Sequence, residues 1–481
     1  MTHTFFWHDY ETFGTDPRRD RPAQFAGIRT DSELNPIGEP LMWYCQPAPD
    51  YLPDPGACLI TGITPQYCMQ HGVAECDFAA RIHAELAQPG TIGAGYNSIR
   101  FDDEVTRFLL WRNLMEPYTR EWQNGCGRWD LIDVMRMLRA LRPDGVVWPH
   151  NDDGSNTFRL EELARANGVE HADAHDARAD ACATLALARL VRRVQPRLFA
   201  FALELRHKDQ VLKEMGLSRH DFRPTRPFLH ISSRFASARG CLAVMWPLAR
   251  HPRDQNAILC WDLAHNPQEL ADLDAAAVRQ RVFTRAEDLP EGVQRLPLKS
   301  VHINRAPMVV GSLGTLTDAI AGRWGIDKAQ CLRHAALACK LPDLSALWQG
   351  VYAPQPAEEA PDVDCSLYAG FLGDADRRRL EALRRLAPDE LALENPGFDD
   401  ARLPELVFRW RARNFPQSLN AAERQRWQAH CAARLLHGSG GARTAVQMFE
   451  AADALWPEAD ARGGQILSDL YDYAETIAPQ E

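Results

Sequence analysis

A chain of 481 residues is too long for one ordinary core, and two to four domains are expected. Hydrophobic residues at 45% and charged residues at 25% suit a globular protein in water, and no stretch reaches the roughly 18–20 apolar residues of a membrane span. A net charge of -11 argues against a uniformly basic nucleic-acid-binding surface, although binding depends on where charges lie rather than on their sum.

The first part of the chain, residues 1–195, reads as α/β. Strands are predicted at Thr4–His8, Ala23–Thr30, Leu41–Gln46 and Thr91–Tyr96, with turn signals such as NPIGEP between them. Helices are predicted at Cys76–Ala87, Asp103–Arg112, Leu131–Leu141, Leu160–Ala166 and Asp176–Arg193. The last is rich in alanine and ends on arginines, which suit the negative end of a helix dipole. A mixed sheet covered by helices follows. A boundary is placed near Pro196. Residues 196–350 are rich in Pro and Arg, with β-like runs at Phe228–Ser232, Cys241–Met245, Ala257–Asp262 and Ser300–Ile303. After a Pro- and acid-rich linker, residues 358–481 are helical, at Ala375–Leu386, Ala421–Leu436, Thr444–Leu455 and Gly464–Ala474. The N-terminus has no basic head or apolar signal-peptide core, and a cytoplasmic location is expected. None of the 12 cysteines stands in a C-x-x-C pair, so reduced thiols are expected rather than a zinc site or disulfides.

Three short motifs carry chemistry. In WHDYETFG, Asp9 and Glu11 lie two apart at the end of an apolar strand, so their side chains share one face. Neighbouring carboxylates repel unless a cation lies between them, and oxygen donors suit a hard ion; an edge strand entering a polar turn is the alternative. In GYNSIRFDDEVTRFL, Asp102 is a further candidate ligand, but Asp102 or Asp103 can equally cap the helix that starts there. In HADAHDARADA, His175 precedes a helix that Asp173 or Asp176 can cap, and Asp180 lies one turn inside it. Four carboxylates can hold two divalent cations about 3.5–4 Å apart, as phosphoryl-transfer sites do, and a histidine can take a proton from water.

In this order, D-x-E, Y-N-x-x-x-F-D and H-D-A-x-x-D resemble the DEDDh family of 3′–5′ exonucleases. RPAQFA, DYLPDPGACLITGITPQ, RWDLIDVMR, FRLEEL, VHINRAP, LYAGFLGDADR and RARNFP extend the likeness to a three-domain branch of that family over nearly the whole chain. The resemblance implies a ribonuclease-H-like domain, an SH3-like β domain and a C-terminal helical domain, closing in a C shape around DNA. It implies processive release of 5′-mononucleotides from the 3′ end of single-stranded DNA, in repair and recombination. Two Mg²⁺ ions per site are implied, with Mn²⁺ as a substitute. Carried over by motif, Asp9, Glu11, Asp102 and Asp180 hold the metals and His175 is the general base. The acidic C-terminal tail of single-stranded-DNA-binding protein is the implied protein partner, and a monomer is expected.

The same resemblance gives Arg159 of FRLEEL a role at a substrate phosphate, the alternative being a surface pair with Glu161 or Glu162. Thr12 and Phe13 follow the metal acids and either pack on the terminal nucleotide or belong to the core. Single strands are gripped by aromatic platforms beside basic groups. Arg107, Tyr118, Trp122, Arg136 and Phe158 are the candidates in the first region, with Arg234, Arg239, Lys299 and Arg305 in the second.

Overall fold

The computed structural model of the chain describes residues 3–169, 176–354, 361–392 and 397–478. The chain divides into two compact units. The first comprises Met1–Gly127, His171–Leu185 and Glu358–Glu481, and the second Arg128–Glu170 and Ala186–Ala357.

In the first unit, Phe5, Phe6 and Trp7 are fully buried, which places strand β1 (Thr4–Thr12) inside its sheet. It pairs antiparallel with β2 (Pro22–Thr30) and parallel with β4 (Thr91–Gly95), and β2 pairs antiparallel with β3 (Leu41–Tyr44). Alternation sends Phe6 and Tyr10 to one face. There they pack with Phe25 against Phe78, Ile82 and Leu86 of helix α1 (Glu75–Leu86) and Val105 and Leu109 of α2 (Asp102–Arg112). Asp9 and Glu11, at the odd positions, belong to the other register of the strand. Helix α3 (Ala177–Val194) begins in this unit.

The C-terminal helices share cores with the N-terminal region. Phe13, Leu52 and Cys58 pack with Phe408, Leu435, Met448 and Leu467. Phe108 and Trp111 of α2 pack with Leu380, Leu403 and Trp410, the last two in α4 (Leu403–Asn414). A buried ion lattice joins the same parts. Arg413 donates to both oxygens of Asp50 (3.0 and 2.6 Å) and to both of Asp364 (3.0 and 2.5 Å), and Arg21 donates to Asp364 at 3.1 Å. The helical segment therefore completes the first unit, although a linker-like composition precedes it in sequence.

The second unit is built on an antiparallel sheet of β5 (Phe228–Ile231), β6 (Leu242–Arg250), β7 (Ala257–Asp262), β8 (Leu298–His302) and β9 (Met308–Val310), in the order β9-β5-β6-β7-β8. The β6–β7 register shifts between Pro247 and Ala249, where proline cannot donate to the ladder. The helix Leu131–Leu141 contacts β5 and β9, and the Trp324 indole donates to the Ala140 carbonyl at 2.9 Å. The helix Leu131–Leu141 lies in this second unit, where the sheet buries its apolar stripe. Among the described residues no helix is long and apolar enough to cross a membrane.

Candidate active site

Asp9 and Glu11 project from the last turns of β1, where the ladder with β2 shifts register between Glu11 and Thr12. Such a bulge re-aims side chains. Asp180 lies in the first turn of α3. Donor oxygens of Asp9, Glu11 and Asp180 all lie within 4.8 Å of one another.

Asp102 adjoins this group. Its carboxylate accepts the Tyr10 backbone N–H at 3.1 Å, which ties it to the strand residue between the two acids. The capping alternative is not what the structure contains: the residue before the helix is Phe101, and no side chain caps it. Asp103 instead accepts from Arg120 at 2.8 Å. Asp102 therefore serves neither helix capping nor that ion pair.

Crowding shows in the acidities. Burial raises the Asp9 carboxyl well above the carboxylate range, and the charges of Asp102, Asp180 and Glu11 raise it further. Glu11 is pushed up to about 9 by burial, followed by Asp180, Asp102 and Asp176. Like charges this close in a poorly hydrated place disfavour ionisation. A hard divalent cation with oxygen ligands removes that penalty, so the donor set fits such an ion. His175 lies outside the described residues.

Beyond Glu11, Thr12 donates to the Gly14 carbonyl at 2.6 Å, and Phe13 is 1% exposed. The Phe13 carbonyl accepts from Asp54 N–H (2.7 Å) and the Tyr51 hydroxyl (3.1 Å), and the Phe13 N–H donates to the Arg21 carbonyl at 2.9 Å. Of the two sequence readings of Phe13, its packing matches the core residue.

The candidate DNA contacts fall into different environments. Arg107 is buried: it donates to both oxygens of Glu121 (2.7 and 2.8 Å), to Glu104 (2.7 Å) and to the Tyr368 hydroxyl (3.0 Å), and lies over the Tyr118 ring. Tyr118 meets Phe371 edge-on at 5.8 Å, and Phe371 is 81% exposed. Trp122 is 66% exposed. In the second unit, Arg136 donates to Asp133 at 2.6 Å and covers Phe158. The Arg159 side chain is exposed, 3.7 Å from Glu162, as in the surface-pair alternative. Arg239 donates to Asp262 at 3.0 Å, and Lys299 lies over Phe235. Arg234 and Arg305 are exposed.

Three residues beside these groups were not singled out from the sequence. Phe371 and Tyr368 are an exposed and a half-exposed aromatic beside Arg107 and Tyr118, within LYAGFLGDADR. Gln24 is a buried polar residue between Ala23 and Phe25, and its pairing opposite Glu11 becomes visible only in the ladder.

Comparison with known proteins gives a consistent picture. An exonuclease family model matches residues 6–188, an exonuclease I SH3-like domain model residues 206–354, and an exonuclease I C-terminal domain model residues 361–477. The chain is 46% identical over 428 residues to exodeoxyribonuclease I of Escherichia coli (strain K12), covering 89% of each. It is similar to E. coli exonuclease I in complex with a dA16 oligonucleotide (TM-score 0.91, 43% identity, 99% of this chain and 100% of that one). It is similar to a zinc-ion-bound E. coli complex of the same enzyme with ssDNA (TM-score 0.90, 41% identity, 99% and 100% coverage). It is also similar to a structure of SSB/exonuclease I with the inhibitor CFAM (TM-score 0.88, 41% identity, 99% and 100% coverage).

Proposed function

Because the chain belongs to the exodeoxyribonuclease I family, and is accordingly a DNA exonuclease that depends on divalent metal, we propose that it degrades single-stranded DNA from the 3′ end. The products are deoxynucleoside 5′-monophosphates, and successive nucleotides leave without release of the strand. The observation that carries this reading is the convergence of Asp9, Glu11 and Asp180 donor oxygens within 4.8 Å, on a strand and a helix that the exonuclease family model spans.

In this reading Asp9, Glu11, Asp102 and Asp180 hold two Mg²⁺ ions, which Mn²⁺ can replace. The chemistry that such cations supply is activation of water at neutral pH and stabilisation of charge on phosphate oxygens. The acids can do this because their neighbours hold them rigidly: Tyr10 N–H on Asp102, and the β1–β2 ladder under Asp9 and Glu11. His175 takes the proton of the attacking water, and Arg159 holds a substrate phosphate. Phe371, Tyr118 and Trp122 offer faces on which bases stack, which suits a strand read without regard to sequence.

The complexes of the relatives support ssDNA as substrate and single-stranded-DNA-binding protein as partner. A monomer acting in the cytoplasm, in DNA repair and recombination, completes the proposal.

The deciding experiment offers a 5′-labelled oligonucleotide as single-stranded DNA, duplex DNA and RNA, with Mg²⁺ or EDTA and a trap. Mg²⁺-dependent shortening of the single DNA strand, passing directly to very short product, is the expected result. Preference for RNA or duplex overturns the substrate, and distributed intermediates overturn processivity.

A further inference from the structure

Gln24 lies on β2 as the cross-strand partner of Glu11, and it is 1% exposed. Its side-chain amide works at both ends. Oε1 accepts the Ala177 backbone N–H at 3.0 Å, the first residue of α3. Nε2 donates to Asp176 Oδ2 at 3.1 Å and to the Tyr44 hydroxyl at 3.0 Å. The partners fix the amide orientation. A flip would set NH₂ against the Ala177 N–H and a carbonyl oxygen against a carboxylate.

Asp176 passes this contact on. Its other oxygen caps α3 by accepting from Arg178 N–H and Ala179 N–H, both at 3.1 Å. Its backbone carbonyl accepts the N–H of Asp180 at 3.0 Å. A continuous path thus runs from the ladder position opposite Glu11, through one amide, to the turn of helix that carries Asp180. A helix N-terminus leaves its first N–H groups without intrahelical partners, and here the sheet supplies one.

We infer that Gln24 is a positioning residue for the metal site, setting the distance between the carboxylates of β1 and Asp180 by clamping the start of α3. The inference rests on the proposed assignment of Asp9, Glu11 and Asp180 as metal ligands. Glutamine suits the task because it offers an acceptor and a donor on one planar head and carries no charge. A glutamate would add a carboxylate facing Asp176, in a region where carboxylates already raise one another. A methionine would fill the same space with neither bond.

The test is Gln24→Met, read by calorimetric Mn²⁺ binding to the DNA-free protein and by single-strand cleavage at varied Mn²⁺. Loss of a residue that orients ligands typically costs 10–100-fold in metal affinity. The expected result is a Mn²⁺ Kd raised about 10–100-fold, KM for DNA at saturating Mn²⁺ within about twofold of wild type, and partial rescue of the rate by excess metal. Unchanged Mn²⁺ affinity overturns the inference. Should Gln24→Met fail to fold, Gln24→Leu decides: it too makes neither bond and leaves the charge of the site unchanged, and it should weaken Mn²⁺ binding in the same direction. Asp180→Asn separates the levels. If it binds Mn²⁺ like wild type, the ligand assignment fails; if it loses binding while Gln24→Met does not, the positioning role alone fails.

Discussion

Arg413 grips Asp50 across 363 residues of sequence, with Nε and Nη2 on the two carboxylate oxygens at 3.0 and 2.6 Å. Burial pushes the Asp50 carboxyl upward, but Arg413, His430 and Arg434 outweigh it and hold it well below the usual range. The pair stays ionised at neutral pH. Removing one partner leaves the other charged and buried, so Arg413→Ala should cost about 3–5 kcal/mol in a denaturant titration. Replacing both by apolar residues of matched size should cost less than the single change. A loss under about 1 kcal/mol in Arg413→Ala would show that water reaches the lattice.

Asp9→Asn and Asp180→Asn should each abolish Mg²⁺-dependent cleavage, leaving circular dichroism unchanged. Their melting temperature without metal should equal or exceed that of wild type, because each replaces an ionisable carboxyl of a crowded buried group by a neutral amide. Near-normal turnover in either variant contradicts its assignment as a ligand.

The raised acidities set a pH dependence of stability. Glu11 is shifted from 4.5 to about 9, so between those values the folded metal-free protein binds a proton that the unfolded chain releases. Stability of the metal-free protein from this source is full below about pH 4.5 and is lost as pH rises toward 9. Divalent metal competes with that proton, so the rise in melting temperature on adding Mg²⁺ should grow between pH 6 and pH 9. Glu11→Gln should flatten this slope. A Mg²⁺ shift that shrinks with rising pH over this range would contradict the assignment.

His175→Ala should lower single-turnover cleavage by roughly 10²–10⁴-fold if the histidine takes the water's proton. The remaining activity should lose a pH-rate inflection that wild type shows. An unchanged rate would assign His175 a structural role.

Phe371→Ala should weaken binding of a short single strand by about 1–3 kcal/mol, the usual value of stacking one base on an aromatic face. The slope of affinity against salt should stay the same, because no charge is removed. A change in that slope would point to displacement of neighbouring arginines.

The clustering of Asp9, Glu11 and Asp180 was legible because its cause is local: D-x-E on a strand and an acid one turn into a helix place carboxylates by backbone period alone. That Asp102 does not cap its helix but accepts the Tyr10 N–H, 92 residues away, is contained in no local pattern. Gln24 escaped notice for the same reason, since it acts through residues about 150 positions later. The packing of the C-terminal helices on the N-terminal region was also hidden. A Pro-rich acidic stretch looks like a linker, yet Phe13 and Phe408 share one core, and the burial of apolar faces rather than composition decides what folds together.

That shared core has a consequence in time. Asp50 leaves the ribosome roughly 20–70 s before Arg413 at ordinary rates of bacterial synthesis. Until then the segment after Glu11 has neither its ion-pair anchor nor most of the apolar wall that covers Phe13. Asp9 and Glu11 are thus synthesised well before the helices that cover Phe13, so a nascent chain should hold this end of the strand firmly only once those helices have emerged.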